Sequence, residues 1–350
     1  MKAFEKNIRK VEPYVPGEQP QRKVVKLNTN ENPYLPAPKV EEILRTFDAE
    51  LLRKYPDPAA EVLVKALAEH YQVGADQVFV GVGSDDVLAI CFLTFFNSGR
   101  PVYFPDITYS FYKVWAELYR IPYELKSLDN EFHLVPEDYY GENGGVIFPN
   151  PNAPTGLYED LDAVEDILKH NQDVIVIVDE AYIDFAGRSA VELIDKYENM
   201  IVVQTFSKAR SMAGMRIGYA ISNPALIRYL NDVKYSFNSY TMYQTARLCG
   251  VEAVRDRAYF EQCVSEIVKT RQWAKEEFKK RGFEFPDSSA NFLFVTHPKQ
   301  DAKTLFEALK EKDIYVRYFG SRRIDQYLRV TIGTRAEMET LFSCLDQIMK

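Results

Sequence analysis

A single lysine, Lys208, stands between two apolar runs, with Thr205 and Ser207 just before it and Arg216 shortly after it. Small hydroxyls and an arginine are suitable ligands for a phosphate group. Neighbouring positive charge and partial burial favour the neutral form of a lysine amine, and a neutral amine can attack a carbonyl to form an imine. The pattern predicts an imine-forming lysine beside a phosphate site. A solvated lysine between a strand and a turn is the ordinary alternative for this residue taken alone.

Two further loops follow strand-like runs and carry polar groups. In GVGSDD (81–86) the glycines permit a tight turn, and Ser84 can cap a helix whose first N–H groups bind an anion. Simple capping explains the same pattern. Asp179 ends an apolar run, where a buried carboxylate requires a partner. That partner is an arginine, a helix cap or a protonated ring nitrogen, and Tyr182 could present its phenol to the same ligand.

A fourth loop, NPNAPTG (150–156), is rigid because it contains two prolines and a glycine. Its asparagines either donate to a phenolate oxygen or make only local turn hydrogen bonds. Together, an imine-forming amine, a phosphate cradle, a carboxylate for a pyridinium and a phenol donor describe a site for pyridoxal phosphate. The coincidence of four such loops carries more weight than any one, because ligands of open parallel sheets bind beyond the carboxyl ends of the strands.

The elements that must position these loops alternate between two patterns. Apolar, β-branched runs separated by helix-like segments occur at 77–83, 100–109, 144–152, 173–182, 200–208 and 216–222. This alternation predicts an α/β fold with a mostly parallel sheet sandwiched by helices. A long amphipathic helix at about 255–281 precedes strand patterns at 292–297, 314–319 and 327–333, which predict a smaller α/β C-terminal domain. The predicted organisation is an N-terminal arm at 1–30, a large cofactor-binding domain at 31–270 and a small domain at 271–350.

Composition excludes several other classes of function. The 350-residue chain has a formal net charge of −8, which disfavours general binding to nucleic acid or to an anionic membrane. Its four cysteines and four histidines are dispersed, so neither a disulfide framework nor a metal site is expected. The start of the chain lacks the apolar core of a signal peptide, and no apolar run reaches the ~18 residues of a membrane helix. We therefore expect a cytoplasmic protein without metal.

The segment SKARSMAGMRIGY (207–219) resembles the SKxxxxAGxRxGY signature of the fold-type I aminotransferases. NPNAPTG and VDEAY stand upstream in the order typical of that family. The segments LNTNENPY (27–34), RKYPDP (53–58) and YLRVTIGTR (327–335) narrow the resemblance to the histidinol-phosphate aminotransferases, over nearly the whole chain. The resemblance implies pyridoxal phosphate, an amino donor with a 2-oxo acid as acceptor, and a homodimer.

The resemblance also implies roles for individual residues around the cofactor. Lys208 would hold the cofactor aldehyde and later move protons, Asp179 would pair with the pyridine nitrogen, and Tyr182 would contact the ring hydroxyl oxygen. Tyr109 would stack on the ring. The remaining implied contacts are to the cofactor phosphate, from Ser84, Asp85, Thr205, Ser207, Arg216 and, across the dimer, Tyr55.

Other implied residues belong to the substrate. Arg329 would grip the substrate's anionic end, Arg317 would be a further phosphate contact, and Tyr14 would help to enclose the substrate. The chain departs from the family pattern at Ala153, where asparagine is common, so Asn152 becomes the candidate for the ring-oxygen contact. Arg210 is also unusual, and we expect it to point to solvent or to pair with an acid.

The reaction expected from the resemblance is transamination of L-histidinol phosphate with 2-oxoglutarate. An aromatic amino-acid aminotransferase would use the same arginine and an apolar pocket. A pyridoxal phosphate lyase acting on a phosphorylated amino acid would share the cofactor loops. A regulator's effector domain is disfavoured, because only a short arm precedes the LNTNENP segment.

Overall fold

The computed structural model describes residues 2–350, and its largest sheet has seven strands. The strands, in chain order, are β1 (Val25–Lys26), β2 (Val78–Gly81), β3 (Val102–Pro105), β4 (Tyr123–Lys126), β5 (Val146–Pro149), β6 (Val176–Asp179), β7 (Met200–Thr205), β8 (Gly218–Ser222), β9 (Phe292–Val295), β10 (Ile314–Tyr315), β11 (Arg317–Tyr318) and β12 (Leu328–Thr331). The large sheet has the order β2-β8-β7-β6-β5-β3-β4. Every strand runs in one direction except β8, which is antiparallel to both neighbours. The predicted mostly parallel sheet is confirmed.

Helices cover both faces of this sheet. The helices are α1 (Pro38–Thr46), α2 (Glu61–Tyr71), α3 (Ser84–Phe95), α4 (Phe111–Tyr119), α5 (Leu161–Lys169), α6 (Pro224–Phe237), α7 (Gln244–Arg255), α8 (Arg257–Lys280), α9 (Ala302–Glu311) and α10 (Arg335–Ile348). Along β6, Val176 and Val178 belong to one apolar cluster and Ile177 to another, on the opposite face. A strand with two buried faces has no polar alternation, which explains why these strands read as continuous apolar runs.

A second group of elements follows the large sheet. Strands β11, β12 and β9 form a three-stranded antiparallel sheet, while β10 pairs in parallel with β1 from the N-terminal arm. The run 314–319 was expected to be one strand, but β10 and β11 pair with different partners, and that prediction is wrong. The long helix predicted at about 255–281 is α8, and Gly282 follows it with a φ of 79°. The left-handed conformation favours glycine at the end of a helix.

This topology brings the predicted loops to one edge of the sheet. Because β2, β5, β6 and β7 run in the same direction, the four polar loops all leave from their carboxyl ends. The predicted boundary at residue 270 lies inside α8, and the division into arm, large domain and small domain stays a prediction. Within residues 2–350, no helix combines the length and the apolarity needed to cross a membrane.

Candidate active site

Two adjoining cavities lie at this edge of the sheet. The first, here the Asp179 cavity, has a volume of about 400 Å³ and is lined by residues that include Asp179, Ser84, Asp85, Ser207 and Arg216. The second, here the Arg329 cavity, has a volume of about 140 Å³ and is lined by residues that include Arg329, Arg317 and Tyr14. The residues that line both are Thr29, Tyr109, Ala153, Tyr182 and Lys208. The predicted imine-forming lysine therefore faces both spaces.

Lys208 follows β7 and is held by the backbone of the N-terminal segment. Its Nζ donates to the Thr29 carbonyl at 3.1 Å and lies 5.6 Å from the centre of the Tyr182 ring. Arg210 does not take part in this environment. It is buried, donates to the Ala253 carbonyl at 2.6 Å, and its guanidinium carbon lies 4.2 Å from the centre of the Phe260 ring. The prediction that Arg210 reaches solvent or an acid is wrong, because a carbonyl and an aromatic face bind it instead.

Asp179 is the last residue of β6 and is only 4% exposed. Neither an arginine nor a helix cap binds it. The Tyr112 hydroxyl donates to its Oδ2 at 2.7 Å, and the Ala181 N–H donates to its Oδ1 at 3.3 Å. Burial raises the pKa of the Asp179 carboxyl to about 6, although the hydrogen bond from Tyr112 opposes that change. A carboxylate in this position is strongly stabilised by any cation that enters the cavity.

Gly83, which precedes α3, and Gly218, which begins β8 beside it, leave the start of α3 free of their side chains and are here called the glycine cradle. Gly83 precedes the helix with a φ of 92°, and a Cβ there would lie 2.5 Å from Nη2 of Arg216. A Cβ on Gly218 would lie 2.2 Å from the Ser84 backbone nitrogen. Ser84 is the first residue of α3 and does not cap it, so the predicted capping role is wrong. The free N–H groups of this first turn, those of Ser84 and Asp85 among them, suit an anion.

Asp85 connects two other predicted residues. Its Oδ2 lies 3.0 Å from Nη2 of Arg216, and its Oδ1 accepts from the Tyr109 hydroxyl at 2.7 Å. The arginine side chain is about two-fifths exposed, so this ion pair is a weak one. Arg216 therefore lies where it can bind an anion at the start of α3, while Asp85 orients both the arginine and Tyr109.

Three predicted cofactor contacts, Thr205, Asn152 and Tyr55, do not line the Asp179 cavity. Thr205 is buried, and its hydroxyl accepts from the Ser207 N–H at 3.1 Å, so it supports the loop rather than facing the cavity. The Asn152 amide donates to the Ile107 carbonyl and to the Thr155 hydroxyl, both at 3.0 Å. Because the Ile107 carbonyl and the Thr155 hydroxyl hold its amide, Asn152 does not line the cavity, and the buried Ala153 lines it instead. The structure therefore does not bring Asn152 to the expected ring-oxygen position.

Two arginines lie opposite each other in the Arg329 cavity. Arg317 on β11 is the register partner of Arg329 on β12. Arg329 donates to the Asn28 carbonyl at 3.0 Å and Arg317 to the Val15 carbonyl at 3.2 Å, but within residues 2–350 neither makes an ion pair. The Arg329 Nε is buried without a partner, and burial lowers the pKa of this guanidinium. Like charges in directly opposed positions destabilise a sheet, so the pair indicates a site for an anion.

Of the remaining predicted residues, Tyr14 lines a cavity of the site and Tyr55 does not. Tyr14 lines the Arg329 cavity as expected. Arg323, six residues after Arg317, pairs with Asp106 at 3.1 Å and does not line the Arg329 cavity. Tyr55 is 81% exposed, lies 4.5 Å from the Tyr240 ring, centre to centre, and lines neither cavity.

The chain is similar in sequence to known aminotransferases over nearly its whole length. The sequence model of the family described as aminotransferase class I and II matches residues 22–345. The chain belongs to this aminotransferase family. The histidinol-phosphate aminotransferase of Lactococcus lactis subsp. cremoris (strain SK11) is 49% identical over 349 residues, which are 99% of this chain and 98% of that protein. That of Clostridium botulinum (strain Okra / Type B1) is 48% identical over 351 residues, which are 100% of this chain and 99% of that protein.

A solved structure agrees in fold. The crystal structure of histidinol-phosphate aminotransferase from Sinorhizobium meliloti in complex with pyridoxal-5'-phosphate has a TM-score of 0.86 to this aminotransferase. The match covers 94% of this chain and 92% of that chain at 24% identity, so it supports the fold alone. It confirms the predicted fold-type I aminotransferase architecture.

Sequence reasoning missed three residues of this aminotransferase site. Tyr112, Thr29 and Asn30 contact Asp179, Lys208 and Tyr182 respectively. Tyr112 stands three residues after Tyr109, on the first turn of α4, and that spacing was an available signal. Thr29 and Asn30 lie in the LNTNENPY motif, but nothing in that segment indicates that it contacts Lys208 and Tyr182.

Proposed function

We propose that this aminotransferase transfers the amino group of L-histidinol phosphate to 2-oxoglutarate with pyridoxal phosphate as cofactor. The products are imidazole-acetol phosphate and L-glutamate. One observation carries the proposal: the Lys208 amine faces both a cavity that ends at a buried carboxylate and a cavity that ends at two arginines without acidic partners. An amine between those two charges suits a cationic ring on one side and an anionic substrate on the other.

The residues of the Asp179 cavity fit pyridoxal phosphate. The glycine cradle and the first N–H groups of α3, together with Ser207 and Arg216, would hold the phosphate. Asp179 would hold the protonated ring nitrogen, and Tyr182 the ring oxygen. When bound, the cofactor supplies an aldehyde for the donor's amine and a ring that accepts an electron pair.

The protein's own groups perform the proton transfers and the orientation. The Lys208 Nζ removes the proton from the donor carbon that bears the amino group, because it faces the cavity in which that carbon must lie. Asp179 would stabilise the protonated form of the ring nitrogen, because the attraction between a carboxylate and a cation is strongest where both are buried. Tyr109 and Tyr182 restrict the space beside Lys208 and exclude water from it.

The paired arginines support a phosphorylated donor. A phosphate monoester carries more negative charge than a carboxylate, and two opposed guanidinium groups match that charge. Arginine also binds carboxylates through its planar fork, so the same pair accepts the distal carboxylate of 2-oxoglutarate in the second half of the reaction. Tyr14 would close this end of the site.

A homodimer is part of the proposal. Tyr55 lines neither cavity of its own chain, so a contact with a cofactor phosphate requires a second copy. Its neighbourhood is apolar and uncovered: Leu52 is 69% exposed and Tyr240 is 49% exposed. Large exposed apolar patches mark interaction surfaces. A cytoplasmic location stays a prediction.

A donor panel tests the reaction. Glutamate formation from 2-oxoglutarate should be fastest with histidinol phosphate, because only a phosphorylated donor satisfies both arginines. Faster turnover with phenylalanine would favour an aromatic amino-acid aminotransferase, and release of carbon dioxide without a 2-oxo acid would favour a lyase. Lys208→Ala should lose both turnover and the visible absorbance of the bound cofactor. Borohydride reduction should leave a covalent adduct at residue 208 of the unmodified protein, and absence of that adduct would refute the role of Lys208.

A further inference from the structure

The segment NTNEN at residues 28–32, here the 28–32 strap, joins several parts of the site. It follows β1 and contacts both cavities through its backbone. The Asn28 carbonyl accepts from Arg329 at 3.0 Å, and the Thr29 carbonyl accepts from Lys208 at 3.1 Å. The Asn32 amide donates to the carbonyls of Lys208 and Ala209 at 3.2 and 3.0 Å. One short segment thus touches the substrate arginine and the catalytic lysine.

Asn30 is the most constrained residue of the strap. It is 1% exposed and has a φ of 58°, a conformation that asparagine tolerates better than most residues. Its backbone N–H donates to the Thr331 hydroxyl at 3.0 Å, and that hydroxyl donates back to the Asn30 Oδ1 at 3.0 Å. The Asn291 amide donates to the Asn30 carbonyl at 3.0 Å. These contacts fix the backbone and hold the amide oxygen on the Thr331 side.

The other end of the Asn30 amide meets the phenol of the site. Its Nδ2 donates to the Tyr182 hydroxyl oxygen at 2.8 Å. Because the phenol oxygen accepts this bond, its own hydrogen is left to donate elsewhere, and Tyr182 lines the Asp179 cavity. Accepting a hydrogen bond also polarises the O–H group and strengthens its donation.

We propose that Asn30 is a positioning residue for Tyr182, whose phenol hydrogen it directs toward the ring oxygen of bound pyridoxal phosphate. The inference rests on the proposed function, since it assumes that this cofactor occupies the Asp179 cavity. Asn30 itself does not line that cavity, and it acts through Tyr182.

The test uses the holoenzyme with pyridoxal phosphate at saturating concentration. The measured quantity is the midpoint pH at which the visible absorbance of the bound cofactor changes. Donation by Tyr182 stabilises negative charge on the ring oxygen, so losing it makes the cofactor hold its proton more tightly. Asn30→Gly keeps the φ of 58° accessible and removes the amide. The midpoint should rise by about one pH unit, which corresponds to ~1.4 kcal/mol of lost hydrogen-bond stabilisation.

A double-mutant cycle shows whether the effect passes through the phenol. Tyr182→Phe should raise the midpoint at least as far, and adding Asn30→Gly to it should cause no further change. The control is Asn28→Ala, which removes a strap amide that donates to the Glu18 carbonyl instead, and its midpoint should equal that of the unmodified protein. Thr331→Val removes the hydroxyl that orients the Asn30 amide and should shift the midpoint in the same direction. This variant provides the same test if Asn30→Gly does not fold.

The outcomes separate this inference from the proposed function. An unmodified protein that shows no cofactor absorbance would refute the proposed function. A cofactor that titrates normally in the unmodified protein, with unchanged midpoints in Asn30→Gly and Thr331→Val, would overturn the role of Asn30 alone. Shifts that add fully to that of Tyr182→Phe would also overturn it, because Asn30 would then act independently of the phenol.

Discussion

Replacing Asp179 by asparagine should abolish transamination and yet stabilise the cofactor-free protein at neutral pH. The carboxyl is buried at the end of β6, and burial raises its pKa from an ordinary 3.8 to about 6. A group whose pKa is raised on folding stabilises the folded state fully below its unfolded value and loses that contribution as the pH rises through the folded value. The contribution of Asp179 to the stability of the cofactor-free protein is therefore lost between about pH 4 and pH 6, and asparagine removes this part of the pH dependence.

The size of the effect follows from the contacts of Asp179. A difference of about two pKa units corresponds to ~3 kcal/mol of free energy of unfolding at pH 8. Asparagine can still accept from the Tyr112 hydroxyl, but its amide opposes the Ala181 N–H, which costs ~1 kcal/mol. The net gain is then ~2 kcal/mol at pH 8, whereas at pH 4 only the loss of ~1 kcal/mol remains. For a chain of this length, ~2 kcal/mol raises the melting temperature by about 3 °C.

Thermal unfolding of the cofactor-free proteins at pH 4 and pH 8 measures this difference. The control is Asp173→Asn, an exposed aspartate shortly before the same strand, which should change the melting temperature by less than about 1 °C at both pH values. With pyridoxal phosphate added, the order should reverse, because the cofactor's ring nitrogen stabilises only the carboxylate. A change in melting temperature that is equal at pH 4 and pH 8 would refute the reasoning, since the cost would then not be that of burying a charge.

Three other substitutions test the phosphate cradle, the paired arginines and the dimer. Gly218→Ala places a Cβ against the backbone at the start of α3 and should weaken cofactor binding at least about tenfold in an absorbance titration. The control, Gly214→Ala, meets no atom within 4 Å and should leave the affinity unchanged. Equal affinities of the two variants would show that the glycine cradle does not bind the cofactor phosphate. Arg317→Gln should raise KM for the phosphorylated donor by about 10- to 100-fold and KM for 2-oxoglutarate less, as measured by initial rates, and the opposite order would contradict the assignment. Tyr55→Ala should be inactive alone but should regain activity when co-expressed with Lys208→Ala, because a mixed dimer contains one complete site; no recovery would exclude a shared site.

Much of the site was predictable because its residues follow strands. Lys208 and Asp179 stand at the ends of apolar runs, and parallel strands bring such ends together at one edge. Arg317 and Arg329 were found through family motifs, and the structure adds that they oppose each other across two strands. Register between strands is set by pairing and cannot be read from either segment alone.

Other features depended on contacts between distant parts of the chain. Asn152 matched a motif, but its amide donates to the Ile107 carbonyl, 45 positions away, and to the Thr155 hydroxyl. Arg210, two residues after Lys208, was expected to reach solvent or an acid, yet its side chain lies against Ala253 and Phe260. Neighbouring residues in an irregular turn point in different directions, so closeness in sequence did not indicate a shared environment.

The sequence by itself determined the α/β architecture, the positions of Lys208 and Asp179 at strand ends and the resemblance to aminotransferases, because alternating patterns and strand-end loops are local properties. The imine-forming role of Lys208 stays a prediction. Only the tertiary structure decided that Tyr112 holds Asp179 and that Asn30 holds Tyr182. Those contacts join residues 67 and 152 positions apart. Partners so distant are chosen by the packing of whole elements, which no short segment encodes.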